Sequence, residues 1–304
     1  MNIRKYKNPP RKFRPAPFWS WNDKLTPEQL RFQIREMAKV GLGGYFMHAR
    51  SGISTEYMSE EWMDAFGSCI DEGQKYGMLS WGYDEEGYPS GFAGGKVQEA
   101  DPRNYMKWLE RTVCNVFEPD DSVIALFDAK GNPLPTDMPL QADSLHCIRL
   151  RSGPAYVDTM DPAAVRTFID LTHEKYNARF GKYFGNNMPG FFTDEPQYGE
   201  SGIPWSNVLP DEYRKAYGTD ITECLFHLWR TDSAGYLYRY RFWKLVNRLF
   251  TENYCKQIGE WCEKHNCQLT GHLMCEDDLM VQMRANAGCM PSYRWFGIPG
   301  MDWL

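Results

Sequence analysis

The sequence predicts an α/β fold: a (β/α)8 TIM-type barrel, incomplete at its C-terminus with seven of eight strands, and carrying a small β insertion after the third. Three observations predict it. Short apolar runs alternate with amphipathic stretches of helical period along most of the 304 residues. One interruption, roughly 105–153, has a different texture, with short β-like runs separated by turn residues. No G-x-G-x-x-G turn follows the first strand or appears elsewhere, which argues against a doubly wound nucleotide-binding sheet and against an organic cofactor.

The elements follow in order. APFWSWN (16–22) reads as the first strand, and the helix LTPEQLRFQIREMAKVG follows it, with Thr26 as N-cap, Pro27 at the first helical position, Gln29 near the capping-box position and Gly41 as C-cap. GGYFMHAR (43–50) repeats the unit, its helix capped by Ser59 and closed by Gly77, and LSWGYDEEGYP (79–89) is a third strand. RTVCNVF, SVIALFDAKGNPL and LHCIRLR make up the β insertion. AYVDTMD (155–161) reads as a fourth strand, before a helix started by Asp161 and Pro162. PGFFTDEP (189–196) is a fifth, residues 210–265 are mostly helical, CQLTGHLMCED (267–277) is a sixth, and IPGMDWL (298–304) is a seventh. The whole chain, 1–304, thus reads as one partial barrel domain. An absent eighth strand implies a piece of a longer protein or closure by another element, and an open edge through which copies could associate.

Lys and Arg total 34 against 40 Asp and Glu, a net charge of -6, and the basic residues are scattered beyond a small N-terminal cluster, so a nucleic-acid partner is not expected. No apolar run approaches the ~18 residues of a membrane span, and no apolar segment follows the basic N-terminus, so a cytoplasmic protein is expected. Nine cysteines without a CxxC pair read as reduced thiols. Aromatic residues reach 15%, many beside Gly, Pro and acids. Such rings suit stacking on sugars and large cores equally well.

In a barrel the reactive groups gather at the C-terminal strand ends. Those ends supply Trp21 and Asn22, His48 and Arg50, Asp84 with Glu85 and Glu86, Asp158 and Asp161, Asp194 with Glu195, His272 with Glu276, and Asp302. A ring of carboxylates with a few His and Trp suits glycoside hydrolysis, which needs two carboxyl groups across one bond, or a hard divalent metal. Glu195 leads, because Pro196 restricts it to an extended backbone, and strand alternation sends at most one of Asp194 and Glu195 into the mouth. Glu276 is its candidate partner. His272 and Glu276 are four apart, but Gly271 and CQLT make this a strand rather than a zinc helix. One of Glu85 and Glu86 should face the mouth, beside a loop that Gly91, Gly94 and Gly95 let fold tightly. His48, Arg50 and His272 can orient hydroxyls or a carboxylate. Each acid could instead cap a helix or pair with an arginine, and each histidine could be a core residue. No G-x-S-x-G elbow or Cys–His motif is present.

The stretches FRPAPFWSWNDKLTPEQLRFQIREMAKVGLGGYFMHARSG, WGYDEEGYPSGFAGG, FFTDEP and LTGHLMCED together resemble the catalytic barrel of the family 106 glycoside hydrolases, the α-L-rhamnosidases, over most of the chain from about Phe13. The resemblance implies an inverting hydrolase that removes terminal α-L-rhamnose from plant polysaccharides or glycosides, with calcium assisting substrate binding. It matches Glu195 and Glu276 to the catalytic glutamates, with Glu85 as third candidate and the acid and base roles open. An aromatic wall from Trp19, Trp21, Trp81 or Trp303 is expected near the methyl of rhamnose. Asp84 and Asp194 join the expected sugar contacts. The rival readings are a catalytically silent carbohydrate-binding barrel and a hydrolase or isomerase using Mg²⁺ or Mn²⁺.

Overall fold

A computed structural model of the protein describes residues 6–199 and 202–302. In chain order the elements are β1 (Phe18–Trp21), α1 (Pro27–Lys39), β2 (Gly44–Ala49), α2 (Glu60–Lys75), β3 (Leu79–Tyr83), a short α3 (Lys96–Ala100), and β4 (Tyr105–Phe117). Next come β5 (Val123–Asp128), β6 (Pro133–Leu134), β7 (Leu140–Val157), α4 (Pro162–Leu171), α5 (His173–Phe180), β8 (Gly190–Asp194), β9 (Ile203–Trp205) and α6 (Leu209–Tyr217). The last part holds α7 (Tyr236–Phe250), a π-helical stretch (Thr251–Lys256), α8 (Gln257–Lys264), β10 (Gln268–His272), α9 (Leu279–Ala285), α10 (Met290–Tyr293) and β11 (Ile298–Pro299).

Two sheets result. Strands β1, β2, β3, β8, β10 and β11 pair in that order, all parallel, and β6, β5, β7, β4 and β9 form an antiparallel sheet. This corrects the incomplete barrel of seven strands: the parallel sheet has six, and among the described residues β1 and β11 do not pair. The run expected as a fourth strand, 155–161, instead begins as the tail of the long antiparallel β7, which ends at Val157, and continues as loop and turn, while β3 pairs directly with β8. Tyr156 and Val157 look like parallel-sheet residues because they are buried, but what buries them is the loop after β3, where the Tyr156 hydroxyl donates to the Ser90 carbonyl. The expected last strand is confined to Ile298–Pro299, and Trp303 lies outside the described residues.

The parallel sheet curls. Phe18 of β1 meets Phe192 of β8 with ring centroids 4.7 Å apart. Three strand spacings in a flat sheet would separate them by about 14 Å. Phe18, Phe46 and Phe192 therefore converge on the concave face, with Trp81 stacked on Phe46. The alternate residues point to the helices on the other side. Trp21 packs there against Trp62 and Phe66 of α2, and Trp19 donates its indole N–H to Gln33 of α1.

Local signals explain the helices. Ser59 accepts the amide of Trp62 and Asp161 that of Ala163, with Pro162 behind it, as N-caps do. The buried stripe of α2, Trp62, Ala65, Phe66, Cys69, Ile70 and Gly73, recurs every three or four residues. A side chain at Gly73 would collide with the Tyr45 hydroxyl, which lets α2 lie close enough for that hydroxyl to reach the Cys69 carbonyl at 2.7 Å. Among the described residues no helix is long and apolar enough to cross a membrane, and none of the nine cysteines forms a disulfide.

Candidate active site

The C-terminal ends of β2, β3, β8 and β10 bring a group of polar side chains to the rim of the concave face. At its centre is His272, the last residue of β10. Gly271 beside it has φ +132°, and a Cβ there would strike the Thr193 carbonyl, so only glycine lets β8 and β10 run this close. His272 Nε2 lies 3.1 Å from Asp194 Oδ1, while Nδ1 lies 3.3 Å from Glu276 Oε1 and 3.7 Å from Glu195 Oε1. One imidazole thus touches three carboxylates. Burial alone would lower its pKa, but the pairing with Asp194 and Glu276 reverses this and pushes it up to about 10, so the ring is an imidazolium at neutral pH.

Asp194 is buried and still held below the usual carboxylate range. Burial raises its pKa, but His272, the Tyr83 hydroxyl at 2.7 Å and nearby His48 outweigh that. Arg50 stands 3.8 Å and His48 4.0 Å from the same oxygen. His48 is buried, and desolvation with Arg50 next to it brings its pKa down to about 4, leaving it neutral. Its two ring nitrogens have no hydrogen-bond partner.

Glu195 and Glu276 differ. Burial raises the pKa of Glu195, partly offset by the Tyr88 hydroxyl that bonds Oε2 and by His272, and reinforced by the neighbouring Asp194 and Glu276 charges. For Glu276 burial also raises it, but His272 and the Tyr293 hydroxyl, 2.9 Å from Oε1, bring it below its ordinary value. Two carboxyl groups against one ring are pushed in opposite directions.

The expectation that Pro196 holds Glu195 extended is corrected: its φ is +47°, in the left-handed region. The Glu195 amide donates to the His272 carbonyl at 3.1 Å, and the turn that begins there swings its side chain to the same side as Asp194. Both acids therefore reach His272, where strand alternation alone would have sent one away.

Other expected residues lie apart. Glu85 is fully buried and faces backbone: Oε2 accepts the amides of Gly91, Phe92 and Ala93 at 2.7–3.1 Å, and Oε1 those of Glu86 and Gly94. It organises the loop and touches none of the three carboxylates around His272. Asp84 is buried below the site, accepting from Ser90 at 2.6 Å, and Ser90 in turn receives the Asp194 amide at 2.8 Å. Trp21 is on the helix side of the sheet. Trp81 lies on the concave face two residues below Tyr83, packed on Phe46. Three tyrosines were not expected in the site: Tyr83, Tyr88 and Tyr293. Tyr88 sits in the glycine-rich loop that the sequence marks as tightly folded, which was the available signal for it. Tyr293 lies 21 residues beyond the end of β10, and no local pattern announces it.

Glu195, His272 and Asp302 each bring a possible ligand atom to within 4.8 Å of the others. Calcium takes six to eight oxygen ligands, and of this trio two residues supply carboxylate oxygen. One of the three donors is a nitrogen, on a ring that carries protons at both positions when charged.

No protein-family model and no curated protein matches the chain. A solved structure does: the rhamnosidase from Novosphingobium sp. PP1Y aligns with a TM-score of 0.62 at 11% identity, covering 96% of this chain and 48% of that one. The chain shares the fold of a rhamnosidase. It spans about half the length of that protein.

Proposed function

We propose that the chain is the catalytic part of a glycoside hydrolase that releases terminal α-L-rhamnose, with Glu195 as general acid and Glu276 as general base. The observation that carries this is the pair of carboxyl groups on His272 whose proton affinities are displaced in opposite directions. An acid and a base for one bond need that separation. Glu195, whose burial favours the protonated form, is the one placed to give a proton to the leaving oxygen. Glu276, paired with the imidazolium, stays ionised and takes a proton from water. His272 fixes both side chains, and Asp194 fixes His272.

The remaining groups suit a sugar. Arg50, 42% exposed at its side chain, offers donors for hydroxyls. Phe18 is 46% exposed beside His48, ring centroids 4.9 Å apart, and supplies an apolar wall for a methyl group that the tryptophans of β1 cannot. The rhamnosidase fold match and the motif resemblance to family 106 favour rhamnose over other sugars, and that resemblance implies inversion. Two carboxyl oxygens 3.3 and 3.7 Å from one ring nitrogen, by contrast, stand at most about 7 Å apart, at or below the short end of the inverting spacing.

The test is turnover of a panel of 4-nitrophenyl glycosides by the 304-residue chain. The α-L-rhamnoside is expected to be cleaved, with loss of at least ~100-fold in kcat on Glu276→Gln and a much smaller loss on Glu195→Gln, since nitrophenolate leaves with little help from an acid. Cleavage that survives Glu276→Gln, or preference for another glycoside, rejects the proposal.

A further inference from the structure

Helix α7 has two apolar faces. Phe242, Leu245, Val246, Leu249 and Phe250 are buried. Tyr236, Tyr240 and Trp243, spaced like a second buried stripe, instead line an open groove of about 400 Å³ against Met283 of α9. Tyr236 is 64% exposed and Tyr240 51% exposed. Their rings are nearly parallel, 12° between planes and 6.4 Å between centroids, one helical turn apart. The groove falls within the size range of small-molecule sites.

The rim is cationic. Lys244 Nζ stands 5.7 Å from the centre of the Tyr240 ring, and Arg239 donates to the carbonyls of Arg230 and Asp232. Neither has a carboxylate within ion-pair distance among the described residues, and the nearby Asp232 carboxylate is taken by Arg230. Flat rings flanked by positive charge recognise a planar-faced ligand that carries an anion. The groove also backs onto the catalytic loop. The Tyr198 hydroxyl, three residues past Glu195, donates to the Met283 carbonyl, and Asn286 donates to the carbonyl of Met274, two residues past His272, at 2.9 Å.

We propose that this groove is an ancillary saccharide site for an acidic glycosyl residue, a uronate, stacked on Tyr236 and Tyr240 with its carboxylate at Lys244 and Arg239. The choice of a sugar rests on the glycosidase reading. The preference for an acidic one rests on the groove. It would make the substrate class an acidic polysaccharide whose terminal sugar enters the site beside His272.

The experiment is calorimetric titration of the 304-residue chain with α-1,4-digalacturonate and with its methyl ester, in parallel with hydrolysis of 4-nitrophenyl α-L-rhamnoside. The acid is expected to bind at least ~10-fold more tightly than the ester. Tyr240→Ala should weaken both at least ~5-fold, Lys244→Glu should remove the preference for the acid, and neither should change hydrolysis of the small substrate. Binding that persists in a chain without hydrolysis supports the groove and sinks the glycosidase reading alone. Equal affinity for acid and ester, no binding of either, or binding indifferent to Tyr240→Ala overturns the inference. So does a dimer that Tyr240→Ala dissociates in sedimentation, because a second copy would then be the occupant.

Discussion

Replacing His272 by Gln removes the positive centre of the site and leaves Asp194, Glu195 and Glu276 facing one another. Its effect on stability can be worked from the ring's pKa, about 10 in the folded protein against 6.5 for a free imidazole. At about 1.36 kcal/mol per unit the displacement corresponds to about 5 kcal/mol. That figure already contains the depression of Asp194 and Glu276, since each pairing is counted from one side only. The folded pKa is raised, so the contribution is complete below pH 6.5 and is lost as pH climbs towards 10. An unfolding entropy of about 2.1 cal/mol/K per residue over 304 residues makes 1 kcal/mol worth about 1.6 °C. The variant is therefore expected to melt about 8 °C below the wild type at pH 6.5 and about 2 °C below it at pH 9. Thermal unfolding followed by tryptophan fluorescence, at half-unit steps of pH on both proteins, measures this. A deficit that is the same at both ends, or smaller than about 2 °C at pH 6.5, would refute the claim that His272 is a charged ring shared by carboxylates.

Further outcomes are expected. Glu195→Gln should lose far less activity on a rhamnoside with a good leaving group, such as nitrophenolate, than on one with an alkyl leaving group, whereas Glu276→Gln should lose both alike; equal sensitivity in Glu195→Gln would deny it the acid role. Proton NMR of the first-formed sugar should show β-L-rhamnose from an α-L-rhamnoside, and retained α-sugar would replace the general base with a nucleophile. Glu85→Ala strips five amides, two of them fully buried, of their acceptor and should destabilise the chain by about 2 kcal/mol or more, read in urea unfolding; a loss under about 1 kcal/mol would mean that the loop finds other partners.

Much of the framework was legible because its signals are local. Ser59, Asp161 and Pro162 mark helix starts by chemistry that acts within three residues, and the parallel strands are apolar because helices cover one side of them. What could not be read was pairing. AYVDTMD has the texture of a buried parallel strand, and only the partner of Val157, Tyr105 on β4, reveals that it belongs to the other sheet. The same limit governed the site. Glu195 and His272 stand at strand ends, where reactive groups gather, and were expected there, while Glu276 lies in the turn that follows β10, which stops at His272 rather than running on to 277. Glu85 has the same local look, yet five amides folded back over it turn it inward, and that closure depends on the whole loop. Trp21 was placed on the wrong face of β1 because a four-residue strand with aromatic residues on both faces, Phe18 against Trp19 and Trp21, gives alternation no polar side to point to.

The π-helical stretch at Thr251–Lys256 makes this chain sensitive to its own length. One residue more per turn than an α-helix sets the helix after it about 100° away from where regular winding would put it. Deleting one residue of the stretch would let five residues in ordinary winding cover the rotation that six now cover, so Ile258, Trp261 and Cys262 would keep the neighbours that bury them and the change would fall on the side chains inside the stretch. Tyr254, whose hydroxyl meets Thr193 at 3.0 Å beneath the strand that ends in Asp194, stands inside that stretch. A shortening of one residue there, harmless in most helices' exposed turns, would reach the carboxylates without altering a single residue that touches them.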